Sequence, residues 1–130
     1  MCKIKLEDKL LANKNLLLEN IIEGILKKKG QEIVDIDLTK INSTICDHFV
    51  ICHADSNTQV AAIADSVEKQ VKENLKIRVG HREGIQNATW VLLDFSDIVV
   101  HVFQKEVRYY YRLEELWGDA SLSRVGESYN

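Results

Sequence analysis

The chain has 130 residues, 45% hydrophobic and 28% charged, with a formal net charge of -3. That suits one domain whose core needs no disulfide or metal staple. The acidic balance, with no basic stripe in the linear sequence, speaks against a protein that grips bare phosphate backbone.

Lys and Glu interrupt every apolar stretch of residues 1–30, so neither a signal peptide nor a membrane span is expected and the expected address is the cytoplasm. Three loosely spaced cysteines, Cys2, Cys46 and Cys52, fit a reducing compartment. Leu11, Leu18, Ile21, Ile22, Ile25 and Leu26 recur at helical spacing, with Gly30 where a helix would end. Residues 33–38, "IVDIDL", alternate like a half-buried strand, and 48–53, "HFVICH", read as a second. Ser56 and Gln59 form a capping box ahead of a helix whose apolar face is Val60, Ile63, Ala64, Val67 and Val71. A strand is expected at 75–79, "LKIRV", then a turn-rich loop, "GHREGIQNA", then a hairpin over 90–103, then a helix over 105–117 ended by Gly118. Residues 121–130 are polar and are expected to fray beyond a single domain of residues 1–120. The order of elements predicts an α/β domain with a mixed sheet of about five strands and flanking helices.

The hairpin "WVLLDFSDIVVHVF" turns around Ser96 and Asp97. A two-residue loop pairs Phe95 with Ile98, and a four-residue loop pairs Asp94 with Val99; both give one register. Opposite residues share a face. One face then holds Val91, Leu93, Phe95, Ile98, Val100 and Val102 and must meet the helices, all on that side. The other holds Trp90, Leu92, Asp94, Val99, His101 and Phe103, an apolar patch with one acid and one imidazole, which points to a partner. Strand 33–38 separates Val34, Ile36 and Leu38 from Ile33, Asp35 and Asp37; the two aspartates could gather with Asp94 and His101, but solvated edge positions are the favoured reading for them.

"DHFVI" at 47–51, "SNTQVAAIAD" at 56–65, "EG" at 83–84, the hairpin, and "RYYYRLEELWGDA" at 108–120 occur in that order. The set resembles the ribosomal silencing factor, or Iojap-related, family over about residues 15–120. The resemblance implies a nucleotidyltransferase-like topology without the catalytic loop, no enzyme activity and no cofactor. It implies a translation repressor that binds the large ribosomal subunit through its fourteenth protein and blocks joining of the small subunit when nutrients run short. Glu83, Trp90, Leu92, Asp94, Val99, His101 and Phe103 would then form the docking face, with Glu83 and Asp94 meeting basic groups. No specific free nucleic acid and no membrane is expected as a partner, and the patch could serve a homodimer in the free protein. Two departures stand out. The family usually carries Gly at the position of Ser96, so a wider loop is expected here, and Ser-Gly where His53 and Ala54 stand.

Three other chemistries have partial signatures in the sequence. Asp35, Asp37 and Asp94 with magnesium have the make-up of a nucleotidyl transfer site, but "KKKGQE" offers no Gly-Ser loop for a triphosphate. Cys46, His48, Cys52 and His53 lie along one strand, where the histidines point apart, so neither zinc nor an activated thiol is expected. In "RYYYR" the helical pattern puts Tyr110 and Tyr111 beside Val107 under the sheet and leaves Tyr109 exposed, short of an RNA-stacking surface.

Overall fold

The computed structural model describes residues 6–41, 46–118 and 120–125, with side chains from Asn15 onward. Cys2, the side chain of Leu11 and residues 126–130 lie outside the described residues. In chain order the elements are α1 (Leu6–Lys27), β1 (Gln31–Asp37), β2 (His48–Ala54), α2 (Asn57–Leu75), β3 (His81–Glu83), β4 (Trp90–Asp94), β5 (Ile98–Gln104), α3 (Lys105–Tyr111), a 3-10 helix (Leu113–Trp117) and β6 (Ser121–Arg124). Among the described residues the strands form one mixed sheet in the order β3-β4-β5-β2-β1-β6. The α/β architecture is as expected, with one more strand.

β2 and β5 run parallel at the centre, and the other neighbours are antiparallel. Central strands are covered on both faces, which is why "HFVICH" and "IVVHVF" are almost continuously apolar. The edge strands β3 and β6 are exposed throughout and polar, a composition that discourages further strand addition. β6 corrects the expectation of a frayed tail from residue 121: Ser121–Arg124 pairs with Asp37–Val34. β3 corrects the expected strand at 75–79. Lys76 takes a left-handed conformation that ends α2, and Gly80 donates to the Asp94 carbonyl at 2.8 Å, so edge pairing begins only at His81. Leu75 and Val79 still pack against the core without belonging to a strand. Gly84 closes this edge at φ 77°; a Cβ there would lie 2.0 Å from the Trp90 carbonyl oxygen.

α1 and α2 cover one face of the sheet. Leu17, Ile21 and Ile25, at i, i+4 and i+8, are the buried stripe of α1; Leu18 and Ile22 are half-buried and Leu26 is exposed, so the stripe is rotated from the expected one. The helix ends with Lys29 left-handed and Gly30 donating to the Ile25 carbonyl. A Cβ on Gly30 would lie 2.3 Å from Ile25 Cγ2, so a small residue is required there. On α2 the expected face, Val60, Ile63, Ala64, Val67 and Val71, is buried. Ser56 Oγ caps the Gln59 N–H at 3.1 Å, but the Gln59 side chain reaches the Lys28 carbonyl instead of closing the box. These helices meet Val91, Leu93, Phe95, Ile98, Val100 and Val102, the all-apolar hairpin face.

The opposite face has its own cluster: Val34, Ile36, Leu38, Cys46, Phe49, Ile51, Val99 and Phe103, covered by Val107, Leu113, Trp117 and Ala120. The expectation that all helices lie on one side therefore fails. The reason is the C-terminal segment: α3 stops at Arg112, which is left-handed at φ 48°, and the redirected chain folds across the second face before entering β6.

The hairpin register is the expected one, with Trp90 opposite Phe103, Leu92 opposite His101 and Asp94 opposite Val99. The loop is tight rather than wide. Phe95 donates to the Ile98 carbonyl at 2.9 Å, and Asp97 donates to the Phe95 carbonyl at 3.1 Å across Ser96, whose φ is 76°. That is a γ-turn of the positive-φ kind, unfavourable for a residue with a Cβ. The fold holds it there by anchoring both flanks: the Asp94 carboxylate accepts the Ser96 N–H at 2.7 Å, and the Asp97 carbonyl accepts the N–H groups of Asp47 and His48. Replacing Ser96 by Gly relieves the strain at some cost in unfolded-state entropy. Ser96→Gly should raise the urea-unfolding stability by about 1 kcal/mol; an unchanged or lowered midpoint would show that the turn is not strained in solution.

Candidate functional site

The candidate site is the half of the second sheet face that the C-terminal segment leaves open. β3 and β4 build it. Glu83 stands opposite Leu92 and His81 opposite Asp94, so four side chains of one face form a two-by-two block, with Trp90 next along β4. Trp90, Leu92 and Asp94 are half-buried, and Glu83 and His81 are exposed. His81 Nε2 lies 3.0 Å from a Glu83 carboxylate oxygen. The remaining three expected residues are placed differently. Val99 and His101 are buried, and Phe103 has 0% exposure. They form the floor beneath the open block and have no free surface to offer a partner. The physical reason is the C-terminal segment lying over β5 and β2.

The acid and the imidazole in mid-strand both have a local task. Asp94 holds the tight turn through the Ser96 N–H. His101 Nδ1 accepts the Trp90 indole N–H at 3.0 Å. Because the indole only donates, this bond puts the neutral ring's proton on Nε2. Burial pushes the His101 pKa down to about 4, so the ring stays neutral at physiological pH. His101 Nε2 and Trp117 Nε1 have no hydrogen-bond partner among the described residues, and both rings meet Phe49 edge-on, with centroids 4.9 and 5.5 Å away. Trp90 also stacks on Phe103 at 4.7 Å and is flanked by Tyr111 at 5.1 Å. The indole is thus fixed by one hydrogen bond and two rings, which preorganises it as a contact surface.

Tyr111 is a neighbour that sequence reasoning misplaced. Tyr109, Tyr110 and Tyr111 are all exposed, and Tyr110 is the most exposed at 81%. α3 buries Arg108 instead. Arg108 Nη1 donates to the Glu32 carbonyl at 2.7 Å and to His53 Nδ1 at 2.9 Å, and Nε donates to Glu114 at 2.7 Å. Glu32 sits at a bulge in β1, with φ 45°, and Arg108 satisfies the carbonyl that the bulge leaves without a ladder partner. Burial first, and then the Arg108 charge, holds His53 below its ordinary pKa.

The rival chemistries do not assemble. Asp35 lies beside Val50 and Asp37 beside His48, on the helix side, while Asp94 lies on the other face. The gathering of Asp35 and Asp37 with Asp94 and His101, which alternation alone leaves open, does not form, because the sheet separates them. Asp35 instead takes a 2.8 Å hydrogen bond from His48 Nδ1, which raises the His48 pKa. The Asp37 carboxylate accepts the Thr39 hydroxyl and then the Thr39 N–H, and these bonds lower its pKa. His48 and His53 point to opposite faces, as alternation requires. Burial pushes the Cys46 thiol up to about 11 and that of Cys52 up to about 12, so both remain thiols. Among the described residues no group of three or more His, Cys, Asp or Glu is placed to hold a metal ion. No helix among them is long and apolar enough to cross a membrane.

The His101 environment predicts acid sensitivity. Unfolded, this histidine takes up a proton near pH 6.5; folded, it resists until about 4. Its contribution is complete above pH 6.5 and is lost as the pH falls towards 4, on the order of 3 kcal/mol in all. In His101→Asn, stability measured by urea unfolding should start lower at pH 7 but fall less between pH 7 and pH 4 than in the unaltered protein. An equal decline would place the acid sensitivity elsewhere.

Comparison with known proteins fits this architecture. A family model described as "Ribosomal silencing factor during starvation" matches residues 12–129. The ribosomal silencing factor RsfS of Bacillus subtilis (strain 168) is 48% identical over 96 residues, covering 74% of this chain and 80% of the relative. The chloroplastic protein Iojap of Zea mays is 38% identical over 73 residues, covering 56% of this chain and 31% of that protein. A crystal structure of a Chromobacterium violaceum protein superposes with a TM-score of 0.76 at 36% identity, covering 80% of this chain and 85% of that one. By the extent of the family match and the identity of these relatives, the chain belongs to the ribosomal silencing factor (Iojap-related) family.

Proposed function

We propose that this chain silences translation in the cytoplasm by docking, through the open block of β3 and β4, on the fourteenth protein of the large ribosomal subunit. Docking there blocks joining of the small subunit when nutrients run short. Membership of a family of ribosomal silencing factors supports a ribosome-associated role in silencing translation, and a regulator rather than an enzyme. The observation that carries the docking reading is the block itself. Trp90 and Leu92 expose apolar surface at the β3–β4 end of this face, and Glu83 and Asp94 flank them with negative charge. An apolar centre with a charged rim is the anatomy of a protein-binding patch, and tryptophan is a common anchor. The two acids suit a basic protein surface. Val99, His101 and Phe103 serve the same patch from beneath, by supporting Trp90.

The residues of the block should fail in different ways. Trp90→Ala should weaken binding of the purified fourteenth protein by about 2–4 kcal/mol, mainly through a faster off-rate. It should also lower the melting temperature, because His101 loses its hydrogen-bond donor and Phe103 its stacked ring. Leu92→Ser should weaken binding with a smaller loss of stability. Glu83→Lys, on an exposed edge, should leave the melt unchanged, slow association and alter its salt dependence. Binding isotherms at two salt concentrations, paired with thermal melts, check all three. Wild-type affinity in both Trp90→Ala and Leu92→Ser would overturn the docking face.

A further inference from the structure

Positive charge gathers at one place on this acidic chain. The end of α1 brings Lys27 and Lys28 against the flank of α2, where Lys69 joins them in an open cleft of about 310 Å3. Lys69 and Lys72 also line the adjoining cleft of about 640 Å3, which runs on to Arg78 and to Arg82 of β3. A third cleft shares Lys72 and Arg78 and adds Lys76. Together the three are lined by seven cations against three acids, Asp65, Glu68 and Glu73. The whole chain carries 17 cations against 20 acids. All seven cations are exposed, and among the described residues only Arg82 makes an ion pair, at 3.1 Å to Glu68. The others are not consumed by i,i+4 pairing along α2.

The position of this belt follows from β3. Its alternation turns His81 and Glu83 towards the docking block and Arg82 towards the helix side, opposite Leu93. The basic belt therefore begins around the edge of the same strand that borders the docking site. A partner seated on the block would leave the belt facing whatever surrounds that partner.

We propose that this belt contacts the phosphate backbone of ribosomal RNA flanking the docked protein. The inference rests on the docking reading above and extends it. The lining chemistry selects phosphate backbone over an acidic peptide. Val79 is the only apolar residue in the three clefts, so a peptide would find no pocket for a side chain. A row of exposed lysines acts as mobile point charges suited to a repeating polyanion read without sequence preference. The acidic docking block and the basic belt thus address two different components of one ribosomal surface.

The test uses the full chain and the variant K69Q/K72Q/R78Q, whose three side chains are exposed. Co-sedimentation with purified large subunits over a salt series should show roughly tenfold weaker binding at low salt. The slope of log affinity against log salt should fall by about two, since each lost phosphate contact removes about 0.7–0.9. K69R/K72R/R78R, which keeps the charge, should behave as the unaltered chain. The neutral variant should bind the isolated fourteenth protein normally, and should lose the weak, salt-sensitive retention on deproteinised large-subunit RNA. Unchanged affinity and slope on the subunit overturn the proposal. So does weaker subunit binding with no loss on deproteinised RNA, which would identify an acidic protein as the occupant. Failure of the docking reading looks different: the unaltered chain then fails to bind the isolated fourteenth protein, whatever its salt slope on RNA.

Discussion

The pairing register of the hairpin Trp90–Asp94 and Ile98–Gln104 is the constraint on which the rest depends. Side chains alternate with period two, so a slip of one residue would carry Val91, Leu93, Val100 and Val102 out of the core and drive Asp94 and His101 into it. The turn at Ser96 pins that register. Its positive φ is tolerated because the Asp94 carboxylate and the start of β2 hold both sides of the loop. Strain at one residue is exchanged for a fixed assignment of both strands of the hairpin to two faces. One face becomes core against α1 and α2. The other supplies the surface on which recognition can be built.

That second face is divided by the C-terminal segment. Arg108 ties α3 to the bulged strand β1 and to β2 through the Glu32 carbonyl and His53, and to the 3-10 helix through Glu114. Removing one partner of such a network would leave buried polar groups unsatisfied, which is the expensive way to break it. With the segment held, Phe49, Val99 and Phe103 pack in one cluster with Leu113 and Trp117, His101 is buried beside them, and the β3–β4 end of this face stays open. In the proposed docking, the buried histidine acts at one remove. It is neutral, it accepts the Trp90 N–H, and it holds the indole at the boundary between sealed and open halves.

The charge distribution follows the same division. Acids lie beside the apolar block, and lysines and arginines lie around the β3 edge on the helix side. A net charge of -3 hides this separation. The alternation of β3 separates the two signs by face: Glu83 stands opposite Leu92 on one side and Arg82 opposite Leu93 on the other.

The sequence by itself determined the fold class, the α2 cap and core face, the hairpin register and the family. Each of these rests on local periodicity, a cap pair or an ordered set of motifs, and such signals need no knowledge of strand order. It also marked Trp90, Leu92, Asp94 and Glu83. What it did not contain was which strand lies beside which. The edge strand at His81–Glu83 and the sixth strand at Ser121–Arg124 have little local apolar signal, because edge strands are exposed and polar and gain their pairing from a neighbour. The left-handed residues Lys76 and Arg112 carry neither Gly nor Asn to announce them, so α2 was expected to stop early and α3 to run on. From the expected longer α3 follows the unforeseen burial of Val99, His101 and Phe103; the tyrosines are misplaced because α3 buries Arg108 instead. The side of the sheet that Asp35 and Asp37 occupy is not legible in the sequence for a related reason: alternation says that they share a face, and only the pairing of β1 with β2 says which one. The basic belt joins residues some forty positions apart, and contact between α1 and α2, a tertiary event, is what brings them together.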